Sequence, residues 1–229
     1  NILIMRYYPV NLDVRGRRCL VVGGGAVGAR KVKTLVKCGA SVTVVSPEVE
    51  PVLSQLAASQ TIDLKIRPYR PDDMKGMFLV IGATNDETLN RRVHADAEEN
   101  HCLCNIADRP EICNFILPAI IQRGDFVMAI STAGKSPAFA KHIRQRLETQ
   151  FGPEYGALLE LMGAIRRKLL AQAHAPEAHK PLFEALIAGN LLDLIRAGDV
   201  ARVDQLLERV LGPGYRYSQL IPVNPNVGE

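Results

Sequence analysis

Three glycines carry the clearest chemistry in this chain. Gly23, Gly25 and Gly28 stand at the G-x-G-x-x-G spacing within Val22-Gly23-Gly24-Gly25-Ala26-Val27-Gly28. That spacing suits a loop that wraps a pyrophosphate. The first glycine permits a tight turn off a strand. The second brings the phosphates close to bare backbone, and the third lets a helix lie close to the strand. Free N–H groups and partial positive charge at the helix start then hold the anion. The bare pattern is equally compatible with a glycine-rich turn that binds nothing, so its surroundings decide.

Those surroundings form a whole βαβ unit. Cys19 to Val22 is a short apolar run, suited to a buried parallel strand. A helical pattern follows, with Val32, Leu35 and Val36 on one face, and it stops at Gly39. Ser41 to Val45 reads as the second strand. The unit therefore predicts dinucleotide binding through Gly23, Gly24, Gly25, Ala26, Val27 and Gly28. In many NAD-binding folds an acidic residue ends the second strand and holds the ribose hydroxyls. Here Ser46-Pro47-Glu48 stands at that place, with Glu48 opening a predicted helix from Glu48 to Ser59. No arginine follows Val45 to welcome a 2′-phosphate, which favours NAD over NADP.

Further strands are predicted at Ile62 to Arg67, Met77 to Ala83 and Cys102 to Ile106. In open α/β sheets ligands sit at the carboxyl ends of strands, which brings Ala83, Thr84 and Asn85 to the cofactor side. Asp86 reads as the N-cap of a helix through Asn100. Asp108 is a strand-end carboxylate without a capping role, although a turn aspartate before Pro110 is the alternative. Phe115 to Ile121 and Phe126 to Ser131 read as a hairpin around Arg123-Gly124-Asp125. The loop Ser131 to Pro137 then opens a helix to Phe151, with Phe139, Ile143 and Leu147 on one face.

After Gly152-Pro153 the chain is helical. Its stripes are Leu158, Met162, Ile165 and Leu169, then Leu182, Phe183, Leu186 and Ile187, then Val200, Val203, Leu207 and Val210. Residues 215–229, rich in proline and asparagine, read as a loose tail. The expected organisation is a Rossmann domain over 1–113, a dimerisation and active-site segment over 114–152, a helical domain over 153–214 and a tail over 215–229. The fold class is α/β: an N-terminal Rossmann-type parallel sheet, a small α+β segment and C-terminal helices.

The composition of the 229 residues is that of a globular protein, with 47% hydrophobic and 23% charged residues. A net charge of +4 gives no argument for nucleic acid. No apolar run approaches the roughly 20 residues that span a bilayer, so no membrane partner is expected. Five cysteines without a framework spacing suggest free thiols in a reducing cytoplasm. Cys102 and Cys104 share one strand face, but no second pair matches them, so the reading is buried packing and no metal site.

Several motifs in their order resemble the precorrin-2 dehydrogenase / sirohydrochlorin ferrochelatase family, which includes the N-terminal module of bacterial siroheme synthase. They are Pro9-Val10-Asn11-Leu12, the stretch Val22 to Lys31, Ala83-Thr84-Asn85-Asp86, Cys104-Asn105-Ile106-Ala107-Asp108, Asn114-Phe115-Ile116-Leu117-Pro118-Ala119, and Ile130 to Pro137. The resemblance covers residues 5 to 212, and Ala133 departs from it where glycine is the commoner residue. It implies NAD-dependent oxidation of precorrin-2 to sirohydrochlorin, a step toward siroheme, in a homodimer built through the segment after the Rossmann domain. Some members also insert ferrous iron as a substrate, and the sequence leaves that open.

Asp108 matches the family's catalytic aspartate, which removes a proton as the macrocycle is oxidised. A substrate with many carboxylates calls for basic residues, and Arg109, Arg123, Lys135 and Lys141 are the candidates. The matching signatures add Asn114, Ser131, Thr132 and Ser136 to the substrate-binding set. Two other readings stay open: a dehydrogenase of this fold without chelatase activity, and a non-enzymatic NAD-sensing regulatory module.

Overall fold

In the computed structural model, residues 6–172 and 176–222 are described. The chain forms two units, residues 1–117 with 133–135 and residues 118–132 with 136–229.

The first unit holds β1 (Arg18–Gly24), α1 (Ala26–Lys37), β2 (Ser41–Val49), α2 (Pro51–Ala58), β3 (Asp63–Lys65), β4 (Leu79–Gly82), α3 (Glu87–Glu99) and β5 (Leu103–Ile106). The strands pair in parallel in the order β3-β2-β1-β4-β5. The central strands β1 and β4 are nearly continuous apolar runs because both faces of the sheet are covered there. Leu20, Val22, Val80 and Ile106 pack with Met74 and Val93 on one face. Cys19, Val21, Val44 and Ile81 pack with Val32 and Leu53 on the other. Cys102 and Cys104 are both buried, as their alternation suggested. The strand order reverses between β1 and β4, which opens a crevice at their carboxyl ends.

Local signals set the helix ends here. Asp86 caps α3 by accepting a bond from the Leu89 N–H at 3.0 Å. After α1, Gly39 adopts φ +76 and its N–H bonds the Val36 carbonyl. The end of β2 differs from expectation. The strand runs through Ser46-Pro47-Glu48 to Val49, and α2 begins only at Pro51. Pro51, with no N–H to lose and a preset φ, is the natural first helical residue. The extra strand length rests on a register shift that pairs Gly24 with Val49.

The second unit holds an antiparallel hairpin, β6 (Ala119–Arg123) and β7 (Phe126–Ile130), followed by α4 (Pro137–Glu148), α5 (Glu154–Ala171), α6 (Pro176–Ala188), α7 (Leu191–Arg196), α8 (Val200–Leu211) and α9 (Tyr217–Leu220). The strand expected from Phe115 begins at Ala119, just after Pro118, which has no N–H for a ladder. The helix expected to reach Phe151 stops at Glu148, and Phe151 joins Phe126 and Tyr155 in a ring cluster instead. Phe139 lies outward, 55% exposed, while Ala140 faces in.

Leu161, Ile165, Leu169, Leu186, Leu191, Val203 and Leu207 form the helical core. On α5, Ile165 and Leu169 are buried and Leu158 packs against the same core, as expected, while Leu161 is buried in addition and Met162 is only half-buried. Ile187 and Val200, both read as core, are exposed. Nor is the start of the tail loose. Tyr215 is buried, its hydroxyl donates to Gln172 at 2.7 Å, and α9 packs on the same core. Residues 223–229 of the expected tail lie outside the described residues.

Candidate functional site

The glycine loop joins β1 to α1 at the crevice. Gly23 turns the chain at φ +111, and a Cβ there would lie 2.3 Å from the Ala83 carbonyl oxygen. A Cβ on Gly28 would lie 2.0 Å from the Gly23 oxygen, so α1 presses directly on the loop. Gly24 is hemmed in by the backbone of Glu48 and Val49. Gly25 differs: a Cβ there would meet open space. It is also the N-cap of α1, where no side chain bonds the first-turn N–H groups and the first turn carries no acidic residue. The residues present therefore fit a dinucleotide, with the Ala26, Val27 and Gly28 end of α1 offered to an anion.

The two neighbouring strand ends are more occupied. Ser46 is buried and its hydroxyl donates to the Glu48 carbonyl at 2.6 Å, so it fastens the extended end of β2. Pro47 and Glu48 are exposed on that strand. After β4, the Thr84 hydroxyl donates to Asn90 Oδ1 at 3.0 Å, and Asn90 Nδ2 donates to the Thr84 carbonyl at 3.0 Å. This fixes the turn from Ala83 to Asp86 and leaves Asn85 exposed.

Asp108 follows β5 on the same sheet edge. It is exposed and adopts φ +60, a left-handed conformation that aspartate tolerates better than most residues. Arg109 N–H closes the turn on the Ile106 carbonyl at 3.2 Å. The Arg109 guanidinium pairs with Glu87 at 3.3 Å and lies 3.9 Å from Glu111, both in solvent-exposed settings.

Two neighbours of this turn were missed in the sequence. Lys31 lies on α1, three residues beyond Gly28, and so shares the face turned to the sheet end. Burial pulls its ammonium below the usual lysine range, the Arg30 charge adds to this, and the Asp108 carboxylate opposes it. Cys113 places its sulfur within the turn itself, 3.1 Å from both the Ile106 nitrogen and the Arg109 oxygen. No spacing in the sequence marks this contact.

The remaining candidates divide sharply. Asn114 spends its amide on the free edge of β5, accepting from Cys104 N–H at 2.8 Å and donating to the Cys102 carbonyl at 3.2 Å. Lys135 is exposed. In the second unit, Arg123 gives Nε to the Phe151 carbonyl at 2.9 Å and Nη2 to that of Glu148 at 3.3 Å, capping the end of α4. Ser136 caps the other end through the Phe139 N–H at 3.2 Å, and Thr132 braces the approach by bonding the Ser136 backbone. Ser131 and Lys141 are exposed. Ala133 sits at φ +53, a position glycine adopts without strain, so its departure from the family pattern falls on a left-handed residue.

Residues 10–119 match a family described as Putative NAD(P)-binding, and residues 123–150 match one described as Sirohaem biosynthesis protein central. The chain is 35% identical over 211 residues to siroheme synthase from Nitrosococcus oceani, covering 92% of this chain and 45% of that protein. It is 38% identical over 210 residues to siroheme synthase from Thioalkalivibrio sulfidiphilus, covering 92% and 43%. The chain thus spans less than half the length of these relatives. A solved structure of SirC, precorrin-2 dehydrogenase, aligns with a TM-score of 0.76 and 27% identity over 90% of this chain and 99% of that one. These matches bear out the resemblance, the α/β class and the nicotinamide dinucleotide as cofactor.

Proposed function

We propose that this chain oxidises precorrin-2 to sirohydrochlorin, with Asp108 as the general base and NAD as the oxidant. One observation carries the reading most: Asp108 and the glycine loop lie at the same carboxyl edge of one parallel sheet, either side of the strand-order reversal. The likeness to SirC over nearly the whole of both chains supports the substrate.

The oxidation removes a hydride and a proton from the macrocycle. Bound NAD supplies the hydride acceptor. The chain's own residues do the rest. The loop from Gly23 to Gly28 orients the pyrophosphate. A carboxylate oxygen of Asp108 receives the proton, and its exposure lets the proton pass on to water. Arg109, Lys135 and Lys141 remain able to meet substrate carboxylates, whereas Asn114 and Arg123 are engaged with backbone.

Anaerobic incubation with precorrin-2 and NAD, followed by absorbance, tests this directly. Formation of sirohydrochlorin is the expected result. NAD binding without turnover favours the regulatory reading instead. Adding ferrous iron or cobalt in the same cuvette asks whether the base also serves metal insertion, a step in which pyrrole protons must leave. We also propose a homodimer. Ile120 on β6, Val127 on β7 and Phe139 on α4 are exposed apolar residues of the second unit. Light scattering should give about twice 25.1 kDa, and a monomer at micromolar concentration refutes it. The five free thiols suit a reducing cytoplasm.

A further inference from the structure

β5 is an edge strand, so one side of its backbone has no strand partner. Side chains from the chain that returns after Asp108 fill that side. Asn114 serves the first part of the strand, at Cys104 and Cys102. Cys113 serves the last part. The Ile106 N–H donates to its sulfur at 3.1 Å, and its S–H has the Arg109 carbonyl at 3.1 Å and the Ile106 carbonyl at 3.4 Å in reach. Asn105 Nδ2 approaches the same sulfur at 3.7 Å while donating to the Phe115 carbonyl at 3.0 Å. The sulfur thus binds the residue before the turn and the residue after Asp108.

Asp108 needs such a brace. Its left-handed backbone, though aspartate tolerates it better than most residues, still costs energy that the surroundings must offset. The bond from the Arg109 N–H to the Ile106 carbonyl, 3.2 Å, ties the two ends of the turn once, and the sulfur ties the same two residues a second time through the Ile106 N–H and the Arg109 carbonyl. We propose that Cys113 is a positioning residue for Asp108, its thiol clamping together the two ends of the turn that presents the carboxylate. This rests on the reading of Asp108 as the general base. Burial raises the thiol pKa, so the sulfur stays protonated and keeps its donor.

The test compares Cys113→Ala, Cys113→Val, Cys113→Ser, Asp108→Asn and the double variant Cys113→Ala with Asp108→Asn. A misplacement of about 1 Å at a reacting group costs up to about 100-fold in rate. Cys113→Ala and Cys113→Val, the second of which fills the sulfur's space without a donor or acceptor, should therefore lose roughly 10- to 100-fold in kcat for precorrin-2 oxidation. KM and the affinity for NAD should stay within about threefold of wild type, because the glycine loop holds the cofactor. Cys113→Ser keeps a donor and an acceptor on a shorter bond and should recover most of the rate. In the Asp108→Asn background, Cys113→Ala should cost nothing further, since the thiol acts only through that carboxylate.

Wild-type kcat in both Cys113→Ala and Cys113→Val, beside an inactive Asp108→Asn, overturns the clamp and leaves the general base standing. A full extra loss in the double variant overturns it too, as does loss of NAD binding in both Cys113→Ala and Cys113→Val, which makes the thiol a fold residue. Near-wild-type turnover by Asp108→Asn overturns the general-base reading and the clamp with it.

Discussion

The glycine loop and the Asp108 turn lie at one edge of the same sheet, yet they are held by opposite means. The loop is held by backbone pressing on backbone: Gly28 on the Gly23 oxygen, Gly23 on the Ala83 oxygen, Gly24 on Glu48 and Val49. Its function resides in what is missing, a Cβ. The Asp108 turn is held by side chains: Cys113 and Asn114 reach back to the edge of β5, and Asn105 reaches out from that strand to the Phe115 carbonyl. A cradle made of absent atoms leaves a fixed spacing in the sequence. A turn braced by returning side chains leaves ordinary residues whose partners are seen only after folding.

The contrast breaks at predictable places. Asp108→Asn keeps the shape and removes the basicity, so turnover should fall about 10²–10⁴-fold while calorimetry finds NAD affinity unchanged. Turnover within about threefold of wild type, far above that range, makes Asp108 a turn residue. Gly28→Ala attacks the backbone-held side: the added methyl has no room beside the Gly23 oxygen. NAD affinity should drop on the order of 100-fold, from an overpacked site that cannot relax toward a flexible neighbour. Affinity within threefold of wild type means that the loop yields, and the comparison fails on that side.

A third region of the same unit sharpens the contrast, because it is held by side chains away from the crevice. Asp73 is buried and takes Arg67 Nη2 at 2.6 Å, Lys65 Nζ at 3.4 Å and the Arg70 N–H at 3.0 Å. The Arg67 bonds, more than the rest, hold its carboxyl at about 2 against an ordinary 3.8. A carboxyl that titrates lower in the folded chain stabilises fully above its unfolded pKa and loses that contribution as the pH falls through its folded value. Asp73→Asn should therefore cost on the order of 1–2 kcal/mol at pH 7, with Arg67 and Lys65 partly in solvent. Thermal melts from pH 7 downward should show the difference between the two proteins shrinking between about pH 4 and pH 2. A constant difference makes the pairing irrelevant to acid stability. The smallest effect concerns the cofactor's ribose. With Pro47 and Glu48 exposed at the end of β2 and no basic residue in the segment from Ser46 to Glu50, NADP should turn over a few-fold more slowly than NAD. Faster turnover with NADP reverses this.

What the chain declared by itself was everything governed by near neighbours. The apolar run before Gly23, the stripe of Val32 and Leu35, the cap at Asp86 and the stop at Gly39 are contacts within a few residues, and each stands where its type predicted. The placement of Asp108 at a strand end was legible for the same reason: strand, turn and carboxylate are contiguous. Tertiary structure decided the rest. Glu48 went into β2 and not into a helix because Gly24, on another strand, offered Val49 a partner. Asn114 and Arg123 carry the right chemistry for ligand contacts, but backbone groups 10 and 28 residues away in the chain claimed them first. Ile187 and Val200 fit a helical period and still face solvent, because which side of a helix is covered depends on helices elsewhere in the chain. A buried polar group must find a partner, and residue type says that it will bond, whereas only the folded neighbours say to what.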